Sequence, residues 1–176
     1  LVGEVRDGET AQTAAQAALT GHLVFSSLHA NSAVGAIVRL RDLGLDNFLI
    51  AATLRGVIAQ RLLRRLCPDC CVPQDTPARA AALFHRHGVS LPAQIQDPGA
   101  GCEAYAGSGH AGRLGIFEMV EISEDLTRAI DQGASEVALK EQALGAEETL
   151  IGQGLAAVAA GAVSLDEALR VVGDVA

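Results

Sequence analysis

Two short stretches near the N-terminus gather the residue types that handle phosphate and move protons. Residues 1–7 read LVGEVRD, an apolar start that runs into Gly3, Glu4, Arg6 and Asp7. Residues 20–31 read TGHLVFSSLHAN, in which His22 opens the run Leu23-Val24-Phe25 and Ser26, Ser27 and His29 close it. A carboxylate at the carboxyl end of a strand, preceded by a glycine that lets other groups approach, is the geometry that holds Mg²⁺ or orients a water at a nucleotide γ-phosphate. Taken alone, Gly3-Glu4 says little, because acidic residues end many strands. A second set of reactive side chains lies further on. Cys67-Pro-Asp-Cys70 is a C-x-x-C knuckle, with Cys71 beside it and Cys102 further along. Thiolates so spaced bind zinc when a second pair brings the ligand count to four.

The elements that must position the first set are legible. Between the two stretches, ETAQTAAQAALT (9–20) is alanine-rich, lacks proline and internal glycine, and meets Gly21, which predicts a helix. Strand, helix, strand over this length is a βαβ crossover, so the two strands are expected to be parallel neighbours. In open α/β sheets the ligand crevice lies beyond the carboxyl ends of the strands, where Glu4, Asp7, Ser27 and His29 would gather. His22 and His29 have opposite parity on a strand and do not form a simple metal-binding pair. His22, which precedes the strand, is expected to make a structural hydrogen bond.

Further along, Asn31 or Ser32 caps a helix that runs through Leu43, with Val34, Ile37, Val38 and Leu40 as its apolar face and Gly44 as its stop. Residues 46–55 read as a helix capped at Asp46, and VIAQRLLRRL after Gly56 as a strand. Residues 67–112 hold all four cysteines and all five prolines, a loop-rich composition interrupted by a helix over 78–87. In RLGIFEMVEI (113–122) Leu114, Ile116 and Glu118 alternate with Gly115, Phe117 and Met119, a strand pattern. From Ser123 onward the pattern is helical, with Ser123 and Ser135 as N-caps and Ser164-Leu-Asp-Glu167 as a capping box.

The bulk properties narrow the function classes. The 176 residues are 49% apolar yet only 3% aromatic, so the core must be built from Ala, Val, Leu and Ile. No apolar run has the length of a membrane span, and there is no leader pattern at the start. The first residue is Leu, in mid-strand, and the chain reads as a fragment with part of its sheet missing. Net charge divides unevenly, +2 over residues 1–66 and −10 over the rest. The acidic second part argues against nucleic acid as a ligand. Arg61, Arg64 and Arg65 in the first part suit a polyphosphate, with ordinary surface charge as the equal alternative. The single lysine is Lys140, and no G-x-x-x-x-G-K-[ST] occurs, so a P-loop is absent from these residues.

VGEVRDGETA, then TGHLVFSSLHAN, then AQRLLRRLCPDC together resemble the secretion ATPases of the type II/type IV pilus superfamily, most of all their general secretion pathway protein E branch. The resemblance extends through GRLGIFEMVEISEDL to GAVSLDEALRV, nearly the whole chain. It implies an α/β fold: part of a RecA-like P-loop ATPase sheet over 1–66, a cysteine-containing, loop-rich insertion over 67–112, and a mainly helical C-terminal subdomain over 113–176. It also implies that Gly3–Asp7 is similar to the family's Walker B segment and 20–29 to its histidine box. Glu4 and His29 then take the catalytic roles, with Gly3, Arg6, Asp7, His22, Ser27 and Arg61 supporting the nucleotide and Mg²⁺.

By the same resemblance, ATP and Mg²⁺ are the cofactors, the active form is a homo-hexamer, and its partners are platform proteins of the inner membrane. The protein is expected at the cytoplasmic face of that membrane, held there through partners. The fragment alone is expected to be inactive. Extension-type ATPases of the family carry four cysteines in this insertion, but here Tyr105 stands where the fourth is expected. A degenerate, metal-free subdomain is therefore favoured over a zinc site built on Cys67, Cys70 and Cys102. Cys71, His85, His87 and His110 are the substitute ligands. Type II secretion is the first reading, a type IV pilus extension ATPase the second, and a non-catalytic zinc-ribbon interaction module the third.

Overall fold

The computed structural model describes residues 1–173, apart from the side chain of Ala104. Among the described residues, eight α-helices and four strands follow in the order α1 Gly8–Leu19, α2 Ala33–Asp42, α3 Asn47–Thr53, β1 Gly56–Leu66, β2 Val72–Asp75, α4 Ala78–Arg86, β3 Gln94–Asp97, β4 His110–Glu121, α5 Glu124–Asp131, α6 Glu136–Ala143, α7 Leu150–Ala159 and α8 Leu165–Val172. β1 pairs with β4, and β2 pairs with β3 in antiparallel register from Val72 opposite Asp97 to Asp75 opposite Gln94. No described helix is long and apolar enough to cross a membrane.

Contacts divide the chain into two compact units, residues 1–59 with 119–144 and residues 60–118 with 145 onward. The C-terminal helices are shared out, because their apolar faces have different partners. α5 packs on α3 and α6 on α2, whereas α7 packs on α8 and β3.

In the first unit, α1 buries Ala11 and Ala15, one turn apart on a single face. Its start is fixed by a close approach. A Cβ on Gly8 would lie 2.5 Å from the Leu43 carbonyl oxygen, so only glycine fits there. Ser32 caps α2 through the Gly35 N–H, and Gly44 leaves the helix at φ +88°. Asp46 precedes α3 as expected but makes no side-chain cap. Arg41 joins the elements: Nε donates to Asn47 Oδ1 at 2.8 Å, and its Nη atoms donate to the Ile130 carbonyl in the last turn of α5 and to the Ala134 carbonyl beyond it. A cation there satisfies carbonyls that a helix end leaves open.

The expected strand pair at 1–5 and 22–27 is shorter than the sequence pattern suggests. It consists of one parallel bridge, Val2 to Ser26, with Val2 N–H donating to Phe25 O and Val5 N–H to Ser27 O. No further described strand lies beside it, and Leu1, Leu23 and Phe25 remain exposed. Without a second neighbour the ladder stops after one rung.

In the second unit Phe84, Ile95, Leu63, Leu155 and Val158 are fully buried. The alternation over β4 holds, with Ile116 and Glu118 inside and Phe117 and Met119 outside. Glu118 is thus a carboxylate on the buried face. Its Oε2 accepts the Leu150 N–H, the first of α7, at 3.1 Å, where the helix end favours negative charge.

Candidate functional site

Residues 1–31 lie in the first unit, and the bridge between Val2 and Ser26 sets their register. With the two segments side by side, the chain leaves each toward the same end. There His29 Nε2 stands 2.8 Å from Glu4 Oε1. Arg6, two residues beyond Glu4, donates from Nε at 2.7 Å and from Nη2 at 2.6 Å to the other carboxylate oxygen. The Arg6 hydrogen bond holds the Glu4 carboxyl below its usual value, outweighing the opposing effect of burial, and the charges of Arg6 and His29 act in the same sense as that bond. Glu4 is therefore an anion at neutral pH. Oε1 is enclosed and has no aligned hydrogen bond. Such an oxygen suits a hard cation or the O–H of an oriented water.

The neighbouring residues are used differently. Ser27 Oγ donates to the Gly3 carbonyl at 2.7 Å and so tightens the two segments immediately behind Glu4. Asp7 is the N-cap of α1, accepting the Thr10 N–H at 2.8 Å, and that bond draws its carboxyl below the ordinary value. His22 Nδ1 lies 3.1 Å from Thr20 Oγ1 and 3.2 Å from the Ala17 carbonyl, at the far end of α1. Glu4, Arg6 and His29 thus converge, Gly3 and Ser27 support them through the backbone, and Asp7 and His22 hold the two ends of the connecting helix. Arg61 belongs to the second unit, where Nη1 donates to the Gln60 carbonyl.

The second unit holds two further arrangements. Cys67, Cys70 and Cys102 bring their sulfurs within 4.8 Å of one another, and Cys67 Sγ is 3.7 Å from Cys102 Sγ. Burial and the neighbouring thiols push Cys70 up to about 12. At Cys67, burial acts upward but is outweighed by the Asp69 N–H and the other two thiols, which draw it below its usual value. Among the described residues Cys71 does not join them; its sulfur faces the Pro68 carbonyl at 3.9 Å.

The other arrangement was not visible in the sequence. Glu167, expected to close a capping box, receives the Ser164 cap on its own N–H, but its carboxylate does not reach back. It accepts instead from the Arg64 backbone N–H and guanidinium and from Arg170. Burial alone would raise its carboxyl; these hydrogen bonds win and bring it to about 2. The only local signal was Arg170, three residues on. A hollow of about 170 Å³ is lined by Arg64, His110, Asp166, Glu167 and Arg170. Both of its guanidiniums are already committed to Glu167.

The family described as "Type II/IV secretion system protein" matches residues 1–170. The chain is 47% identical over 173 residues to "Type II secretion system protein E" of Pectobacterium carotovorum subsp. carotovorum, covering 97% of this chain and 34% of that protein. It is 43% identical to "Type II secretion system ATPase E" of Vibrio cholerae, covering 97% and 34%. It is 43% identical to "Type IV pilus assembly ATPase TfpB" of Acinetobacter baylyi, covering 98% and 30%. The chain thus spans about a third of the length of these relatives. Among solved structures, the pilus retraction motor PilT with bound ADP aligns with TM-score 0.61 at 23% identity, covering 96% of this chain and 38% of PilT. The ATPase DotB of Yersinia pseudotuberculosis aligns with TM-score 0.62 at 16% identity, covering 97% and 35%. At these identities the structural likeness bears on the fold alone, and the fold is the α/β fold that the sequence implied.

Proposed function

Because the chain belongs to the Type II/IV secretion system protein family, we propose that it forms the catalytic-acid part of a hexameric ATPase that drives pseudopilus assembly in type II secretion. The observation that carries this reading is the 2.8 Å approach of His29 to Glu4 across two parallel-paired segments. In this reading residues 3–7 act as a Walker B segment and 20–29 as a histidine box, and the phosphate-binding P-loop comes from chain outside these residues. Mg²⁺-ATP, when bound, supplies the phosphoryl group and the cation to which an ionised carboxylate responds.

Each residue has a task. Arg6 keeps Glu4 ionised, and a carboxylate so held is a weak base but a good acceptor. Glu4 therefore orients the attacking water, directly or through Mg²⁺, rather than taking a proton from it. His29, on the neighbouring segment, fixes the direction of Oε1 and couples it to the γ-phosphate position. Gly3 and Ser27 hold the segments in register, and Asp7 and His22 secure the intervening helix. Arginines from another domain or subunit complete the charge balance. The hexamer works at the cytoplasmic face of the inner membrane against platform proteins.

The experiment uses the complete protein with Glu4→Gln. ATP binding is expected to persist while turnover falls by about 10²–10⁴-fold, the usual scale for a positioned carboxylate. Unchanged kcat in that variant would reject the reading. The same site would serve a type IV pilus extension ATPase, a reading favoured by the similarity to the pilus relative at 43% identity. Restoration of secretion, but not of piliation, in cells lacking the corresponding ATPase separates the two. The isolated 176-residue chain is expected to show no turnover.

A further inference from the structure

Cys67, Cys70 and Cys102 are built into a site, although the chain offers them only three sulfurs. Cys67 is fully buried. The knuckle closes on itself, with the Cys70 and Cys71 N–H groups donating to the Cys67 carbonyl at 3.4 and 3.0 Å, and the Cys67 N–H donates to Gly109 O. The loop that delivers Cys102 depends on glycine. A Cβ on Gly99 (φ +65°) would lie 2.6 Å from the Cys70 carbonyl oxygen, and one on Gly101 (φ +78°) 2.1 Å from the Gly107 carbonyl oxygen. These two positions let residues 99–109 fold tightly, so that Cys102 reaches 3.7 Å from Cys67.

The family resemblance implies zinc here, and zinc in a structural site takes four ligands in a tetrahedron. The described residues do not supply the fourth. Cys71 faces Pro68 O, Tyr105 is 44% exposed, and neither nitrogen of His110, its Nδ1 held 2.7 Å from Ser108 O and its Nε2 buried without a hydrogen bond, lies within 4.8 Å of all three sulfurs. Among the described residues, the one group of three or more His, Cys or acidic side chains near enough to share an ion is Cys67, Cys70 and Cys102. Soft thiolates select soft ions, and a donor set of three favours an ion content with trigonal coordination.

We propose that these three cysteines form a trigonal thiolate site for a soft monovalent cation, Cu(I) being the class, and that zinc is held there only with an exchangeable fourth ligand from solvent. Loading displaces the thiol protons, and no electron is transferred, because copper enters and stays as Cu(I). The inference does not depend on the nucleotide reading of Glu4.

The test uses the reduced, oxygen-free chain, titrated with Cu(I) against a chromophoric Cu(I) chelator and with Zn(II) against a fluorescent zinc chelator. One Cu(I) per chain is expected, with three sulfur neighbours by X-ray absorption. Affinity should fall by at least about tenfold in Cys70→Ser and in Cys102→Ser, and by less than about twofold in Cys71→Ser. Tyr105→Cys should reverse the preference toward zinc and give bound Co(II) the spectrum of a four-sulfur tetrahedron. Three results overturn the proposal: four sulfurs or a nitrogen in the wild-type coordination shell, an equal loss in Cys71→Ser, or no stoichiometric Cu(I) binding. Helical circular dichroism identifies any variant that unfolds, and in that case the wild-type coordination number decides.

Discussion

Glu4 and Glu167 each stand between two basic side chains, Arg6 and His29 for one, Arg64 and Arg170 for the other. Their surroundings differ. The Glu4 side chain is 21% exposed, and its partners Arg6 and His29 are 75% and 90% exposed. The Glu167 side chain is 1% exposed, and the Arg64 backbone N–H donates to it at 2.9 Å. An acid whose partners are solvated side chains can exchange one of them for a ligand at little cost. An acid sealed under two guanidiniums and fixed by a strand's backbone is part of the scaffold. The acid's own exposure, more than the presence of charge partners, separates an acid available for chemistry from one that holds β1 to α8 within the second unit.

The largest expected effect tests this difference directly. Glu167→Ala should lower the unfolding free energy by about 2–3 kcal/mol, because it removes the buried carboxylate on which two half-exposed guanidiniums and the Arg64 N–H converge. Glu4→Ala should cost less than Glu167→Ala, because both basic partners of Glu4 are largely solvated. Urea unfolding of the two variants measures both. Equal losses would erase the distinction, and a loss below about 1 kcal/mol for Glu167→Ala would mean that its half-exposed arginines simply rehydrate.

Acid should sharpen the same contrast. The Glu167 carboxyl lies at about 2 in the folded chain against 4.5 for the free group. A depressed acid contributes stability that is complete above the unfolded value and is lost as pH falls through the folded one. The window is therefore from about pH 4.5 down to about 2, and the loss is about 3 kcal/mol by linkage. Glu4 and Asp7 are lowered too and contribute in the same direction. Glu167→Gln should flatten most of the acid limb of a stability–pH curve, whereas Glu4→Gln should leave it nearly as steep.

Local signals in the sequence carried much of this. The alanine-rich run before Gly21, the serines at 32, 123, 135 and 164, and the alternation over 113–122 report chemistry confined to a few neighbouring residues. They correspond to α1, to four made caps and to β4. What was not legible depends on pairs far apart in the chain. Glu167 meets Arg64 across 103 positions, and Glu118 meets the Leu150 N–H across 32. In the Glu167 case the motif itself misled, because a serine three residues before a glutamate fits a reciprocal cap. Two guanidiniums compete for that carboxylate and win. The Glu4–His29 meeting spans 25 residues and was nonetheless anticipated, because a helical crossover fixes which ends of two parallel strands coincide.

The smallest effect concerns Asp7, which lies beside Glu4 in sequence but has a structural partner. Its carboxylate accepts the Thr10 N–H at the start of α1, so Asp7→Ala should cost about 1 kcal/mol, the usual value of an N-cap. Asp7→Asn keeps a side-chain oxygen in the same place and gives up only the attraction between a charge and the helix end, a few tenths of a kcal/mol. The asparagine variant therefore separates two roles that the alanine variant confounds. If Asp7 acts only by holding the helix, Asp7→Asn in the complete protein leaves ATP turnover within about threefold of wild type, which is under 1 kcal/mol of barrier. If turnover falls as far as in Glu4→Gln, Asp7 belongs with the exposed, exchangeable acids, and the cap is a resting contact that the working site gives up.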